Sequence, residues 1–559
     1  MIYNLFFMLG GVVAMLYGMK ALGVGMEKFA GTKMKSLLGK VTNNRLAGVG
    51  VGLVVTSIIQ SSTATTVMLV GFVNIGLLTL TQAVGVIMGA NIGTTVTAHI
   101  VSLSGVGGAI DIGAIAAFVG FTGIMISMFT KKDVWVNLGN LLAGLGMIFV
   151  GLEFISVYAK KLMFLSEGVP HAIVSQIFQR DHFPLLLVLI GIVLTALVHS
   201  SSTITSLMVV LASIGVLSFD NALFLALGSN IGTCVTSLLS SMGTCTNAKR
   251  TAVVHLLFNV FGCLIFIAPL WVWRAWVVNA FASISSDVGQ QIAIFHTLFN
   301  LVATVILFPL SKFIVKLTTF IIREKQCVSD QKKLAFLDNR MLETPPIAVG
   351  NIRREVVRMA SFAKDNINMS MEMLFNPAVD NSERLKENED TLNYLNHSII
   401  AFMTKLMGKR LSVEDDNKIS SYFHVVSDME RVGDYAENVM EYCYRLRKER
   451  LDFSDEAKAE LKEVLTLVNE LFNVSITAFD QRNVEMLSSV SEIEEKIDEI
   501  CESLEGKHIE RVKKGSCAAQ LGSIYLQTVS NLERVGDHVT NVAFSLSHYR
   551  KVDSLGVKE

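Results

Sequence analysis

The chain has 559 residues, of which 51% are hydrophobic, and a formal net charge of −1 at pH 7. Its length accommodates two or three domains, and its mean hydropathy of +0.49 excludes an ordinary soluble protein. The charge is uneven, because residues 46–110 contain no Asp, Glu, Lys or Arg whereas charged residues recur every few positions beyond Lys332. A neutral membrane half is therefore joined to a polar half.

The membrane half begins with an apolar stretch at 4–26, which lacks the basic start and small-residue cleavage site of a signal peptide, so we expect it to remain as a helix. Further stretches long enough to span a bilayer lie at 83–103, 107–129, 134–158, 221–243, 251–273 and 291–314. Two others, 46–80 and 183–217, are interrupted at their middle by hydroxyl residues and Gly. Irregular backbone at membrane depth must be satisfied by protein or water. We therefore expect each to be a helical hairpin that lines a cavity.

The basic residues between these stretches predict the orientation. With the N-terminus outside, thirteen Lys and Arg residues fall on inner segments and four on outer segments. Short cytoplasmic loops carry the excess of positive charge. This favours a C-terminal domain in the cytoplasm. The seven cysteines form no CxxC pair, and we interpret them as reduced thiols in core positions.

The membrane half also contains an internal repeat with an offset of 139 residues. The segment 56–97 aligns with 195–236 without a gap, and 16 of the 42 positions are identical. The matches are concentrated in Ser, Thr, Asn and Gly rather than in Leu and Val. In the predicted topology the two copies start on opposite sides, so we expect inverted repeats, about 46–130 and 183–273, that hold a substrate at their interface.

Two hydroxyl-rich motifs, QSSTATT at 60–66 and HSSSTIT at 199–205, occupy matching positions in the repeats. Hydroxyls donate to an anion and accept toward a cation, and a broken helix adds backbone N–H groups. The Asn-Ile-Gly-Thr segments at 91–94 and 230–233 look like second helix breaks. The alternative is that these hydroxyls bond to their own helix carbonyls or join helices. The predicted substrate and sodium site contains Gln60, Ser61, Ser62, Thr63, Thr65, Thr66, Asn91, Thr94, Thr95, His199, Ser200, Ser201, Ser202, Thr203, Thr205, Asn230 and Thr233.

Neither repeat core contains Lys or Arg. A bare oxyanion in a medium of low dielectric constant is too costly, so we expect a small alkali cation to travel with it. A nucleophilic pairing of Ser200 with His199 is not expected, because sequence neighbours rarely have that geometry and no acidic residue lies nearby to orient the histidine. We therefore predict a transporter and no enzyme.

The paired motifs resemble those of the sodium-dependent phosphate cotransporter family, the type II group with bacterial members, over roughly 1–320. The resemblance implies sodium-coupled transport of inorganic phosphate, with substrate and ions held between the motifs. Two positions depart from the QSSS signature: Thr63 replaces the third Ser, and His199 replaces the Gln. The second departure leaves pH sensitivity and stoichiometry open.

The polar half starts after a linker, 321–344, and reads as amphipathic helices over 345–550. It has its own repeat with an offset of 103, in which ERVGD recurs at 430–434 and 533–537. Acidic residues at i and i+4 share one helix face. They are interpreted either as a solvated charged face or as ligands for a hard metal ion. The candidate ligands are Glu494, Asp498, Glu533, Asp537, Glu389, Glu430 and Asp434.

This half resembles PhoU-type phosphate regulators, which are paired three-helix bundles with metal motifs. The resemblance implies a divalent or iron-type metal, although Asn393 stands where the pattern expects an acid. We predict an all-α protein of the inner membrane that binds phosphate, sodium and lipid but no nucleic acid. By resemblance it is a homodimer. The alternatives are a transporter of another small oxyanion, a channel, or a membrane-tethered phosphate sensor.

Overall fold

The computed structural model describes residues 2–39, 44–103, 112–130, 132–164, 183–323, 333–343, 345–409, 411–513 and 519–546. In these ranges all regular structure is helical, which confirms the predicted fold class. The chain divides into two compact units, Met1–Cys327 and Val328–Glu559. The first residues of the predicted stretch 107–129 lie outside the described residues. Residues 324–332 and 344 of the predicted linker also lie outside them.

The first unit has fifteen helices within the described ranges. They are α1 (Ile2–Gly39), α2 (Arg45–Ile59), α3 (Ser62–Asn74), α4 (Leu80–Gly93), α5 (Thr95–Ser102), α6 (Ile112–Phe129), α7 (Asp133–Phe164), α8 (Pro184–Val198), α9 (Ser201–Ser213), α10 (Phe219–Gly232), α11 (Cys234–Ser240), α12 (Thr246–Val272), α13 (Arg274–Ile284), α14 (Val288–Leu307) and α15 (Ser311–Ile321).

Among the described residues, six segments are long and apolar enough to cross a membrane. They are Ile2–Met26, Leu80–Ser102, Val134–Leu162, Phe219–Ser240, Thr246–Val272 and Val288–Leu307. Both interrupted stretches form two short apolar helices joined by a turn, as predicted: α2 with α3 and α8 with α9. The last predicted span, 291–314, is wrong at its end. Helix α14 stops at Leu307, just before Pro309, and α15 begins at Ser311.

Close backbone contacts hold α2 against α4 and α8 against α10. A Cβ atom on Gly89 would lie 2.0 Å from the carbonyl oxygen of Val49, and one on Gly228 would lie 2.0 Å from that of Val188. These two glycines occupy equivalent repeat positions. Small residues let membrane helices approach this closely. As a result α2 lies along α4 and α8 lies along α10, which fixes the position of the turn at the end of each short helix.

Two described helices outside the aligned segments 56–97 and 195–236 contact both copies. Helix α12 packs against α3 and α4 of the first copy and α10 and α11 of the second. Helix α14 packs against α4 and α5 of the first and α9 and α10 of the second. The polar segments of the two repeats therefore face these helices as well as each other.

The second unit has six long helices in the described residues: α16 (Pro345–Phe375), α17 (Ser382–Met407), α18 (Val413–Glu449), α19 (Asp455–Gln481), α20 (Leu487–Lys513) and α21 (Ala519–Phe544). Helices α16, α17 and α18 pack as one three-helix group, and α19, α20 and α21 pack as another. The two groups are joined by contacts of α16 with α19 and of α18 with α21. Ser412 and Ser454 cap α18 and α19 by accepting backbone N–H groups, as expected for serine at a helix start.

Candidate functional site

The two hydroxyl-rich motifs fold into the same turn. Gln60 ends α2 with left-handed dihedral angles (φ 57°, ψ 23°), and His199 ends α8 with nearly the same angles (φ 58°, ψ 22°). The next residues, Ser61 and Ser200, are extended and cap the following helices. Because a left-handed residue reverses the path of the chain at a helix end, each repeat presents the start of a second helix directly after the first helix stops.

The side chains of Gln60 and His199 make equivalent contacts. Oε1 of Gln60 accepts the hydroxyl of Thr97 at 2.8 Å, and Nδ1 of His199 lies 3.1 Å from Oγ1 of Thr236. Thr97 and Thr236 are themselves 139 residues apart. The imidazole thus takes the place of the amide in the second repeat. Neither threonine is among the predicted site residues, although the two are identical at this aligned position of the repeats.

The two turns meet in the structure. The hydroxyl of Thr63, in the first turn of α3, donates to the carbonyl oxygen of His199 at 3.2 Å. Around this contact α3 packs against α11 and α9 packs against α5. Residues separated by 136 positions are therefore neighbours. The N-termini of α3 and α9 lie at the same place between the repeats.

Several predicted site hydroxyls bond to their own helices. Thr65 donates to the carbonyl of Ser61, Thr66 to Thr63, and Thr95 to Ile92. Thr94 and Thr233 donate four residues back, to Ala90 and Ser229. For these five threonines the alternative interpretation, local bonding to helix carbonyls, accounts for the hydroxyl donor.

A second group of hydroxyls is uncommitted. The side chains of Ser62, Ser201 and Ser202 are 3–6% exposed, and their hydroxyls bond to no residue that the structure describes. Oγ1 of Thr205 is buried without a partner. Ser62 and Ser201 are equivalent positions at the first residue of α3 and α9. Their backbone N–H groups precede the first intrahelical acceptor. This pair offers two hydroxyls and two helix N-termini to an anion.

The predicted second breaks are milder than expected. Thr94 and Thr233 keep helical dihedral angles (φ −61°, ψ −27° and φ −61°, ψ −26°), and the N–H of each still bonds four residues back. A break is therefore present at each predicted position, since α4 ends at Gly93 and α10 ends at Gly232, but the backbone is not unwound there. Instead, the asparagines just before them carry the polar contacts. Asn91 donates to Oδ1 of Asn259 at 3.2 Å, and Asn230 donates to Oδ1 of Asn300 at 2.9 Å.

Asn259 and Asn300 belong to a short motif that the sequence analysis missed. His-Leu-Leu-Phe-Asn at 255–259 in α12 recurs as His-Thr-Leu-Phe-Asn at 296–300 in α14. The His and Asn side chains of both copies are at most 1% exposed. A self-comparison at an offset of 41 finds this pair.

The carboxylates of the first three-helix group lie close to one another. Burial, followed by the charges of Glu437, Asp434 and Glu430, raises the pKa of Glu389 to about 7. Gly433 in the ERVGD motif admits this carboxylate, because a Cβ at Gly433 would lie 2.7 Å from Oε2 of Glu389. Amide groups occupy both oxygens of Glu389: Asn366 lies at 3.5 Å and Asn393 at 3.3 Å.

In the second group, burial and mutual repulsion raise the pKa of Glu494, Asp498 and Glu533, with Asp537 contributing charge to all three. Within the described ranges, however, no three carboxylate, imidazole or thiol groups are arranged to hold a metal ion. The predicted metal of this unit is therefore not supported. In the first group the physical reason is that amides already engage Glu389.

Two family profiles match the chain. The Na+/Pi-cotransporter profile matches residues 14–157 and 170–286, and the PhoU domain profile matches 356–443 and 461–546. Both uncommitted serines, both turns and Asn259 fall inside the first profile. Asn300 lies beyond its end.

Three relatives show the extent of the similarity. The chain is 23% identical over 549 residues, 97% of each chain, to the Salmonella typhimurium protein named "Putative inorganic phosphate export protein YjbB". It is 30% identical over 314 residues, 56% of this chain and 97% of the relative, to "Uncharacterized protein YqeW" of Bacillus subtilis. An 84-residue segment, 14% of this chain and 12% of the relative, is 42% identical to "Sodium-dependent phosphate transport protein 2B" of Rattus norvegicus.

Proposed function

Because the chain belongs to the Na+/Pi-cotransporter family and carries a C-terminal PhoU domain, we propose that it is a sodium-coupled secondary transporter of inorganic phosphate. Phosphate and sodium bind between the turns at 60–66 and 199–205. The observation that carries this proposal is the pair of buried, uncommitted hydroxyls of Ser62 and Ser201, at two helix N-termini that meet through the contact of Thr63 with His199.

The chemistry of these groups suits an oxyanion with an accompanying cation. Each helix start contributes backbone N–H groups and the positive end of its dipole, and each serine contributes one hydroxyl donor. These groups are neutral, and the repeat cores contain no Lys or Arg. Sodium therefore offsets the phosphate charge, and hydroxyl and amide oxygens are the ligands that this hard cation prefers.

The test is phosphate flux in proteoliposomes that contain the purified chain. Labelled phosphate should move when sodium is present, and the rate should saturate with sodium. Replacement of sodium by choline at fixed pH and ionic strength should abolish the flux. Equal flux in choline would overturn sodium coupling. Since full-length relatives carry the word "export" in their names, flux is measured with the sodium gradient imposed in each direction.

The proposal has further parts that concern the arrangement of the chain. The membrane repeats are inverted about the site, the chain lies in the inner membrane as a homodimer, and the C-terminal unit is cytoplasmic and regulates transport. A chain that ends near Lys325 should still transport phosphate with altered rate or control. If this shortened chain inserts and folds but moves no phosphate, the modular interpretation is wrong.

A further inference from the structure

The orientation of Asn91 is determined by a chain of hydrogen bonds that starts at a backbone carbonyl. Nδ2 of Asn259 donates to the carbonyl oxygen of His255 at 3.2 Å. A carbonyl only accepts, so the amide nitrogen of Asn259 must face it, and Oδ1 of Asn259 faces Asn91. Nδ2 of Asn91 donates to that oxygen. Oδ1 of Asn91 consequently points away from Asn259.

An equivalent chain of hydrogen bonds orients Asn230 in the second repeat, but it ends at a histidine. Nδ2 of Asn300 donates to the carbonyl oxygen of His296 at 2.8 Å, so Oδ1 of Asn300 accepts from Nδ2 of Asn230. Oδ1 of Asn230 then faces Nε2 of His296 at 3.2 Å. The imidazole must carry its proton on Nε2 to satisfy this oxygen. The amide oxygen of Asn230 is therefore already occupied.

The two repeats thus differ at this position. Oδ1 of Asn91 has no hydrogen-bond donor among the residues that the structure describes, and Asn91 retains 7% exposure. Nδ1 of His255, the counterpart of His296, lies 3.1 Å from Oγ of Ser237, and His255 makes no hydrogen bond to the amide of Asn91. One repeat therefore presents a free, oriented amide oxygen, and the other does not.

We infer that Asn259 is a positioning residue for sodium. It holds the amide of Asn91 so that Oδ1 serves as a cation ligand, whereas His296 closes the equivalent oxygen of Asn230 to cations. This inference rests on the proposed sodium-coupled function and adds which repeat holds the amide ligand and what orients it. Without Asn259 the amide of Asn91 turns freely, and its nitrogen repels the cation in part of the population.

The experiment compares Asn259→Leu with its matched control Asn300→Leu, since both residues are 1% exposed and lie in the same motif. The primary measurement is stabilisation of the purified full-length protein against thermal unfolding as sodium replaces choline at fixed ionic strength, without phosphate. Asn259→Leu should raise the sodium concentration for half-maximal stabilisation about five- to tenfold, because one orienting hydrogen bond is lost. Asn300→Leu should change it by less than about twofold, since it disturbs no free ligand oxygen.

A conservative variant separates positioning from packing. Asn259→Asp keeps an acceptor for Nδ2 of Asn91, so its sodium midpoint should lie below that of Asn259→Leu. If Asn259→Leu does not yield folded protein, Asn259→Ser and Asn300→Ser replace the pair, with the same expected contrast. The sodium concentration for half-maximal phosphate flux in proteoliposomes should follow the same order.

Equal shifts in the two Leu variants, no shift in Asn259→Leu, or a wild-type protein that sodium does not stabilise would each overturn the inference. The proposed function can fail separately. If sodium stabilises the wild type and Asn259→Leu weakens that effect, but no sodium-dependent phosphate flux is found, the positioning role stands and the transport proposal falls.

Discussion

Removal of the uncommitted hydroxyls gives the sharpest test of the phosphate site. Ser62→Ala and Ser201→Ala each delete an oxygen that bonds to no other described residue. Neither change leaves a protein group unsatisfied, so the free energy of unfolding without ligand should change by less than about 0.5 kcal/mol. A loss of ligand affinity in these variants would therefore not be explained by a loss of folding stability.

The loss should appear in ligand affinity instead. A hydrogen bond to a charged group contributes about 1.5–3 kcal/mol, so each variant should weaken phosphate or sodium dependence roughly 10- to 100-fold. If both hydroxyls contact one ligand cluster, the double variant should be non-additive. The assay is titration of flux with phosphate and with sodium at matched expression, with thermal unfolding of each variant measured in parallel.

The matched control is Thr66→Val. Thr66 is also buried, but its hydroxyl donates to the carbonyl of Thr63 in its own helix at 3.1 Å. That bond is local, and its removal should leave both affinities within about threefold of the wild type. Wild-type affinities in both serine variants would refute the site assignment. A loss in Thr66→Val as large as in Ser62→Ala would show that the assay reports packing.

Two further predictions concern the C-terminal unit. Glu355 is fully buried and accepts hydrogen bonds from two backbone N–H groups and from the guanidinium of Arg358. Glu355→Gln should therefore lower the free energy of unfolding by about 2 kcal/mol and the thermal midpoint of this unit by about 4–8 °C. An unchanged midpoint would contradict this account of the buried carboxylate. Gly433→Ala should destabilise the same unit, because its Cβ atom would lie 2.7 Å from Glu389. Gly536→Ala should stabilise it by up to about 1 kcal/mol through helix propensity, because the nearest atom to its Cβ would lie 3.7 Å away. Shifts of the thermal midpoint with the same sign in the two variants would refute the packing argument.

Much of the architecture follows from the sequence because it depends on local patterns. Apolar stretches of membrane length, the hydroxyl interruptions and the repeat at an offset of 139 predicted an all-α membrane protein with paired turns. The positions of Gln60 and His199 within those turns also follow from the alignment, since equivalent sequences adopted nearly equal dihedral angles. Short-range preferences are enough to place such features.

The tertiary structure decided which polar groups are available. Thr66 and Ser62 look alike in the sequence, yet one hydroxyl bonds to its own helix and the other is uncommitted. The acidic residues at i and i+4 predicted a metal site, but no group of three ligands converges among the described residues. The partner of Asn91 lies 168 residues away, in a helix outside the aligned segments 56–97 and 195–236. Hydrogen bonds at such separations depend on how helices pack, and a single sequence carries no local signal for them.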